Sequence, residues 1–332
     1  MKVSGKKLEH LKKLSSKKGV IAAAAMDQRG SLKKAIAKAK GVDPKEITRG
    51  MMEEFKTAVS LILTPHSTAI LLDPEFGLPA AKKRSSNAGL LLAYESTGYD
   101  QNTPGRFPQL IPNWTVAKSL EAGTDAIKIL LYYSPVEKPE INDAKHAWVE
   151  RIGAECALYD IPYFLEFVGY PSGSDDEKGM EYALLKPEIV KRSMEEFSKD
   201  RYRVDVLKVE VPINMQFVKG ARSCKGESAY DREKAKELFR ATAAVTKKPF
   251  IYLSAGVSDD EFRESLELAA EAGVSYNGVL CGRATWKEGI PVYAKSGVKA
   301  LEDWLSDRGV QNIQALNKVL DQGAKSWFDI IK

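Results

Sequence analysis

Residues 204–211 read VDVLKVEV. The run is short, nearly all apolar and rich in valine, as expected of a strand covered on both faces. Seven further runs share this character: VIAAAAMD (20–27), STAILLD (67–73), GLLLAYE (89–95), DAIKILLY (125–132), PYFLEF (162–167), PFIYLS (249–254) and NGVLCG (277–282). Most of the gaps carry helix punctuation. Ser31 is placed to cap a helix after the first run. The Asp43-Pro44 pair opens another that reaches about Leu63. Residues 145–158, 186–197, 231–246 and 259–272 follow, the last closed by Gly273. Between the second and third runs only 79–86 is available. Eight such units with no linker predict a (β/α)8 TIM barrel with an N-terminal extra helix, one domain over 1–332. A doubly wound sheet is the main alternative. It usually carries a Gly-rich first turn, and MDQRGS is not one.

The composition fits a globular chain. Of 332 residues, 44% are hydrophobic and 29% charged, which excludes a disordered, collagenous or disulfide-scaffold protein. No uncharged apolar stretch is long enough for a membrane span, so no membrane partner is expected. The opening MKVSGKKLEHLKKLSSKKG lacks the apolar core of a secretory signal. Cys156, Cys224 and Cys281 are isolated, which points to a reducing cytoplasm and no zinc module. Net charge is +5, but residues 1–50 carry +10 and the remainder −5. The leader reads as a solvated amphipathic helix. It contains no aromatic residue, which argues against a nucleic-acid partner.

In a barrel of this kind, functional groups sit at the C-terminal ends of the strands. Those ends are Asp27, Asp73, Glu95, Lys128, Glu166, Lys208, Ser254 and Arg283. A lysine in an apolar strand is costly to bury as a cation, so the pKa of Lys208 is expected to fall and its amine to attack carbonyls. It reads equally as a lysine snorkelling from the rim, or paired with Asp205 or Glu210. Lys128 repeats the pattern: a second ammonium beside the first, or a partner of Asp125 or Glu95. Desolvation is expected to raise Glu166 into a range useful for proton transfer. The other reading of Glu166 is a buried ion pair with a lysine. Asp27 is placed to orient a substrate hydroxyl, hold a lysine or cap a turn.

Ser254-Ala255-Gly256 and Gly282-Arg283 end the last two runs. Glycines let backbone N–H groups approach an anion and arginine adds a charged fork, so these ends suggest a phosphate site. Ordinary turn chemistry is the other reading. His10, His66 and His146 are not at ligand spacing, so no metal or other cofactor is expected.

The segments AMDQRGSLKK (25–34), ILLDPEFGL (70–78), GLLLAYESTGYD (89–100), DAIKILLYY (125–133), RIGAEC (151–156), DVLKVEVPINM (205–215), YLSAGVS (252–258) and GVLCGRATW (278–286) resemble the bacterial class I tagatose 1,6-bisphosphate aldolases. The resemblance runs from about residue 5 to 330. It implies reversible cleavage of a ketose 1,6-bisphosphate, tagatose 1,6-bisphosphate and with it fructose 1,6-bisphosphate, to dihydroxyacetone phosphate and glyceraldehyde 3-phosphate without a metal. It implies that Lys208 forms the Schiff base and Glu166 moves protons. Asp27 and Lys128 would flank the ketose hydroxyls with Gln28 beside them. Ser254, Gly256, Gly282 and Arg283 would grip the C1 phosphate. A homo-oligomer is the usual expectation for such enzymes. The loop-like segments 132–143, 169–180 and 218–228 are idiosyncratic, and two follow strands, where they would shape the aldehyde half of the site. Arg29, Lys82, Lys83 and Arg84 are candidates for the second phosphate by charge alone. Two other functions fit the residues: cleavage of another 1-phosphorylated ketose, such as 6-deoxy-6-sulfofructose 1-phosphate, and a metabolite-sensing regulator built on an aldolase.

Overall fold

Eight parallel strands close on themselves in sequence order: β1 (Ile21–Ala25), β2 (Ala69–Leu72), β3 (Gly89–Ala93), β4 (Ala126–Tyr132), β5 (Tyr163–Val168), β6 (Val206–Glu210), β7 (Phe250–Leu253) and β8 (Gly278–Cys281). The circle is completed where Ile21 stands beside Gly278 and Ala24 beside Cys281. This is the (β/α)8 TIM barrel. The structure, a computed structural model, describes residues 1–96, 103–171, 177 and 179–331; the end of the segment 89–100 and half of the segment 169–180 lie outside these. Among the described residues no helix is long and apolar enough to cross a membrane.

Strand periodicity decides what enters the barrel. Ile21, Ala23, Ala25, Ala69, Leu71, Leu91, Ala93, Ala126, Phe164, Val206, Ile251 and Leu280 form one buried cluster inside it. Lys128, Glu166 and Lys208 each lie two residues beyond a member of that cluster, so each points to the same interior at the strands' C-terminal end. Small alanines on β1, β2 and β3 face the larger Phe164 and Ile251, which lets the interior fill without strain.

The helices are α1 (Gly5–Lys13), α2 (Gly30–Lys40), α3 (Arg49–Leu63), α4 (Leu78–Ala81), α5 (Val116–Glu121), α6 (Pro139–Leu158), α7 (Met180–Phe197), α8 (Arg232–Ala243), α9 (Asp259–Glu271), α10 (Arg283–Trp286), α11 (Gly289–Trp304, broken at Gly297) and α12 (Val310–Gly323). Several boundaries differ from expectation for local reasons. Ser31 is inside α2, whose cap position is Arg29 without a side-chain cap bond. Asp43 caps only a 3-10 turn, Pro44–Glu46, and Thr48 caps α3 by accepting from Met51 N–H. Pro139 sits in the first turn of α6, where a missing N–H costs nothing, so the helix starts in the segment 132–143 read as loop. α7 begins at Met180, six residues before the start expected at Lys186, and runs through Pro187.

The leader is not simply solvated. Leu11 and Leu14 plug the barrel floor beside Trp327 and Ile331 from the C-terminal segment. Lys7 is buried and pairs with Asp205 at 2.7 Å, and His10 Nδ1 lies 3.0 Å from Asp125. Its charges therefore answer carboxylates at the strands' N-terminal ends.

Candidate active site

A cavity of about 990 Å³ opens at the C-terminal mouth of the barrel. Asp27, Gln28, Glu95, Lys128, Glu166, Lys208, Ser254, Gly256, Gly282 and Arg283 all line it. Asp73 does not: it turns outward to Lys56 of α3 at 2.6 Å, both side chains fully buried. Lys56 Nζ also donates to the carbonyls of Met26 and Gln28, at 2.6 and 2.8 Å. The lysine thus pins the backbone on either side of Asp27. Burial pushes its ammonium below the ordinary lysine value despite the pull of Asp73. Lys56→Met leaves a buried carboxylate unpaired, and a loss of about 3–5 kcal/mol in urea unfolding is expected. Lys56→Met combined with Asp73→Leu should recover part of that loss.

Lysine and carboxylate neighbours are set by strand register. Glu166 stands beside Lys208 on the β5–β6 ladder, and Lys128 beside Ala93 on β3–β4. Glu166 Oε2 lies 2.8 Å from Lys208 Nζ and 2.8 Å from Lys128 Nζ, bridging the two. Lys128 Nζ also meets Asp27 Oδ2 at 2.8 Å and Glu95 Oε1 at 2.9 Å. Of the pairings open to Lys128, Glu95 is realised; Asp125 instead faces His10 and Lys13 at the floor. Of those open to Lys208, neither is: Asp205 takes Lys7 and Glu210 takes Lys186.

The electrostatics follow from this cage. Burial alone pushes the Lys128 ammonium down, but Asp27, Glu166 and Glu95 outweigh it and hold it well above its ordinary value. Lys128 is therefore a fixed cation rather than a nucleophile. Burial pushes Asp27 up, yet Lys128 and then Lys208 hold it well below the usual carboxylate range. The same balance lowers Glu166, against the expectation that desolvation would raise it. Two cations 2.8 Å away count for more than the loss of water. Glu95 goes the other way: burial raises it although Lys128 and Arg29 oppose. The sequence placed Glu95 at a strand end without assigning it chemistry. Its position in the cage depends on Lys128, one strand away.

At the β7 and β8 ends two turns have room only for glycine. Gly256 has φ +80°, and a Cβ there would meet the Arg283 guanidinium carbon at 2.8 Å. A Cβ on Gly282 would meet the Ala25 carbonyl oxygen at 2.8 Å. Lys287, which sequence reasoning missed, donates to the carbonyls of Gly256 and Val257 and steadies this turn. It lies in a surface helical turn with no pattern to distinguish it.

The charge-based candidates separate. Arg29 lines the cavity, whereas Lys82, Lys83 and Arg84 do not; Arg84 is spent on the carbonyls of Ala81 and Ala88 behind β3. Of the idiosyncratic loops, Tyr132, Gly169 and Glu177 reach the cavity, and no residue of 218–228 does. His10 is at the floor, and His146 lies 3.0 Å from the Tyr133 hydroxyl on α6.

Lys208 against a buried carboxylate, Lys128 within reach and Arg283 beside two glycine turns on one rim therefore share the wall of one cavity. Residues 21–288 match the model of the DeoC/LacD family aldolases. The chain is 52% identical to tagatose 1,6-diphosphate aldolase 2 of Enterococcus faecalis over 98% of its length and 96% of that protein. It is 51% identical to tagatose 1,6-diphosphate aldolase of Listeria monocytogenes over 97% of its length and 94% of that protein. Among solved structures, its fold is similar to that of a Schiff base forming fructose-1,6-bisphosphate aldolase, with TM-score 0.56, 14% identity and coverage of 94% and 98%. A Corynebacterium glutamicum protein gives TM-score 0.59 at 15% identity, covering 98% and 93%.

Proposed function

The chain belongs to the DeoC/LacD aldolase family, and on that premise we propose that it cleaves tagatose 1,6-bisphosphate, and fructose 1,6-bisphosphate with it, through a Schiff base on Lys208. It is a lyase. The observation that carries the reading is the contact of 2.8 Å between Lys208 Nζ and Glu166 Oε2 on the cavity wall.

The ammonium of Lys208 gives one proton to Glu166, and the neutral amine attacks the C2 carbonyl. The carbinolamine oxygen receives one proton from the attacking nitrogen and one from Glu166 and leaves as water, and an iminium remains. Asp27, which meets Lys128 rather than Lys208, takes the C4 hydroxyl proton. The C3–C4 bond then breaks, its electron pair moves into the iminium, and the aldehyde leaves. Protonation of the enamine at C3 and hydrolysis release dihydroxyacetone phosphate and restore the amine. Lys128 holds Asp27 and Glu166 in place and favours the return of each to its ionised form after it has carried a proton. Arg283, Ser254 and the N–H groups around Gly256 and Gly282 hold the C1 phosphate, and that remote binding aligns the reacting carbons. The names of the relatives favour the bisphosphate over the sulfo-ketose. Incubation with tagatose 1,6-bisphosphate should yield both triose phosphates in equal amounts, at a rate unchanged by EDTA. Release of either product alone, or loss of the rate on chelation, contradicts the proposal.

A further inference from the structure

We infer that Glu95 carries a proton at neutral pH and acts as a positioning residue, a neutral carboxyl that holds Lys128 between Asp27 and Glu166 without competing with them for the ammonium charge. Its effect on turnover rests on the aldolase reading above, whereas the protonation state does not.

The three carboxyls around Lys128 are not equivalent. Glu166 Oε2 lies 2.8 Å from Lys128 Nζ and 2.8 Å from Lys208 Nζ, so two cations hold it. Asp27 meets Lys128 at 2.8 Å and feels Lys208 and Arg29 besides. Glu95 reaches one ammonium, at 2.9 Å through Oε1, and shares it with the other two. Its Oε2 is buried and has no hydrogen-bond partner among the described residues. Arg29 does not supply one: its Nη2 donates to the Glu95 backbone carbonyl at 2.8 Å, not to the carboxyl. Lys128 and Glu95 are 1% and 2% exposed, so bulk water screens neither. A carboxylate oxygen left without a donor in such a place is costly, and the group takes up a proton instead.

The charge of the cage points the same way. Asp27, Glu95, Glu166, Lys128 and Lys208 form one connected set. With Glu95 neutral, two carboxylates face two ammoniums and the set has no net charge. Transfer of a proton from Lys208 to Glu166 then takes place inside the set and leaves its charge at zero. With Glu95 ionised, the set carries an excess negative charge on the wall of a cavity proposed to admit a phosphorylated ligand, and that charge would repel it.

The charged groups facing Glu95 are Lys128 from β4 and Asp27 and Arg29 from the end of β1. Glu166 on β5 and Lys208 on β6 stand across Lys128, and Asp73 at the end of β2 is turned away to Lys56. Burial raises the Glu95 carboxyl, Lys128 and Arg29 oppose it, and Asp27 adds to it, with burial the largest effect. Asp27 and Glu166 move downward in the same cage. Carboxyls driven apart in this way take different protonation states at one pH.

Infrared spectra of the wild type and Glu95→Gln at pH 7 test the proton directly. The carbonyl stretch of a protonated carboxyl should be present in the wild type and missing from the variant. Unfolding tests it by sign. A raised folded value means that the wild type loses stability as pH climbs from the unfolded glutamate value of about 4.3 through the folded one, whereas glutamine does not titrate. The urea midpoint of Glu95→Gln should therefore gain on the wild type between about pH 4.5 and 8. In kinetics with fructose 1,6-bisphosphate, Glu95→Leu removes the acceptor for Lys128 and should lower kcat/KM by about tenfold or more. Glu95→Gln keeps an acceptor oxygen and should recover most of that loss. Identical carboxyl bands in the two proteins, a midpoint gap that moves against the variant as pH rises, or a Glu95→Gln rate as low as that of Glu95→Leu overturns the assignment. Borohydride trapping of dihydroxyacetone phosphate on the wild type tests the aldolase reading by itself. Its failure would sink that reading, while the spectra and the unfolding would still decide the proton.

Discussion

Lys208→Met is expected to lower kcat for ketose bisphosphate cleavage by at least about 10⁴-fold, the scale seen when a covalent nucleophile is removed. Methionine keeps the volume of the buried stem and removes only the amine. Glu166 keeps Lys128 at 2.8 Å, so its carboxylate stays paired and the fold should persist. The C1 grip at Ser254, Gly256, Gly282 and Arg283 is untouched, so binding of glucitol 1,6-bisphosphate should change by less than about threefold. Lys208→Arg supplies the sharper control. It restores a cation against Glu166 but no neutral amine, and it should be as inactive as the methionine variant. A rate within about tenfold of wild type in either variant contradicts the covalent route.

Lys128→Met should do the most damage to the protein as a whole. Three carboxylates, Asp27, Glu95 and Glu166, converge on this one ammonium within 2.9 Å. Removing it leaves buried like charges without a counter-ion, at a cost of about 3–5 kcal/mol at neutral pH. The pH dependence has a definite sign. In the wild type, Asp27 and Glu166 titrate below the ordinary carboxylate value. They therefore contribute stability above about pH 4, which is lost as pH falls through their depressed folded values. In Lys128→Met those carboxyls titrate higher, so the gap to wild type should be widest near neutrality and narrow on acidification. Urea midpoints between pH 4.5 and 8 check this. The acid limb of kcat/KM should move upward in the same variant, provided that residual activity is measurable. A gap that widens on acidification contradicts the cage.

Much of this was legible in the sequence, because a fully covered strand writes itself as an apolar run. All eight runs became strands, and the lysines at 128 and 208 stood out because nothing apolar explains them. The contradicted readings of charged groups share a cause: they concern partners that only closure of the barrel supplies. Glu166 was expected to be raised by desolvation, and the two lysines that reverse the shift come from β4 and β6. Asp73 ends a strand like the others, but Lys56 of α3 draws it to the outer face. The leader looked solvated because its lysines outnumber its acids, and only the barrel floor supplies Asp205 and Asp125 to receive them. Helix starts at Pro139 and Met180 were missed for a local reason. Proline in one case opens a helix and in the other, Pro187, lies inside one, and residue type alone does not separate the two. Arg29 was one of four equal candidates by charge. Only the fold puts it on the cavity wall and sends Arg84 to backbone carbonyls.

The most direct test of the central claim is borohydride reduction in the presence of dihydroxyacetone phosphate, followed by intact-mass measurement and peptide mapping. The account predicts one adduct per chain, equal to the ligand less one water plus two hydrogens, located on Lys208 and absent from Lys208→Met. A folded protein that binds the phosphate yet gives no adduct, or an adduct carried by another lysine, would contradict it.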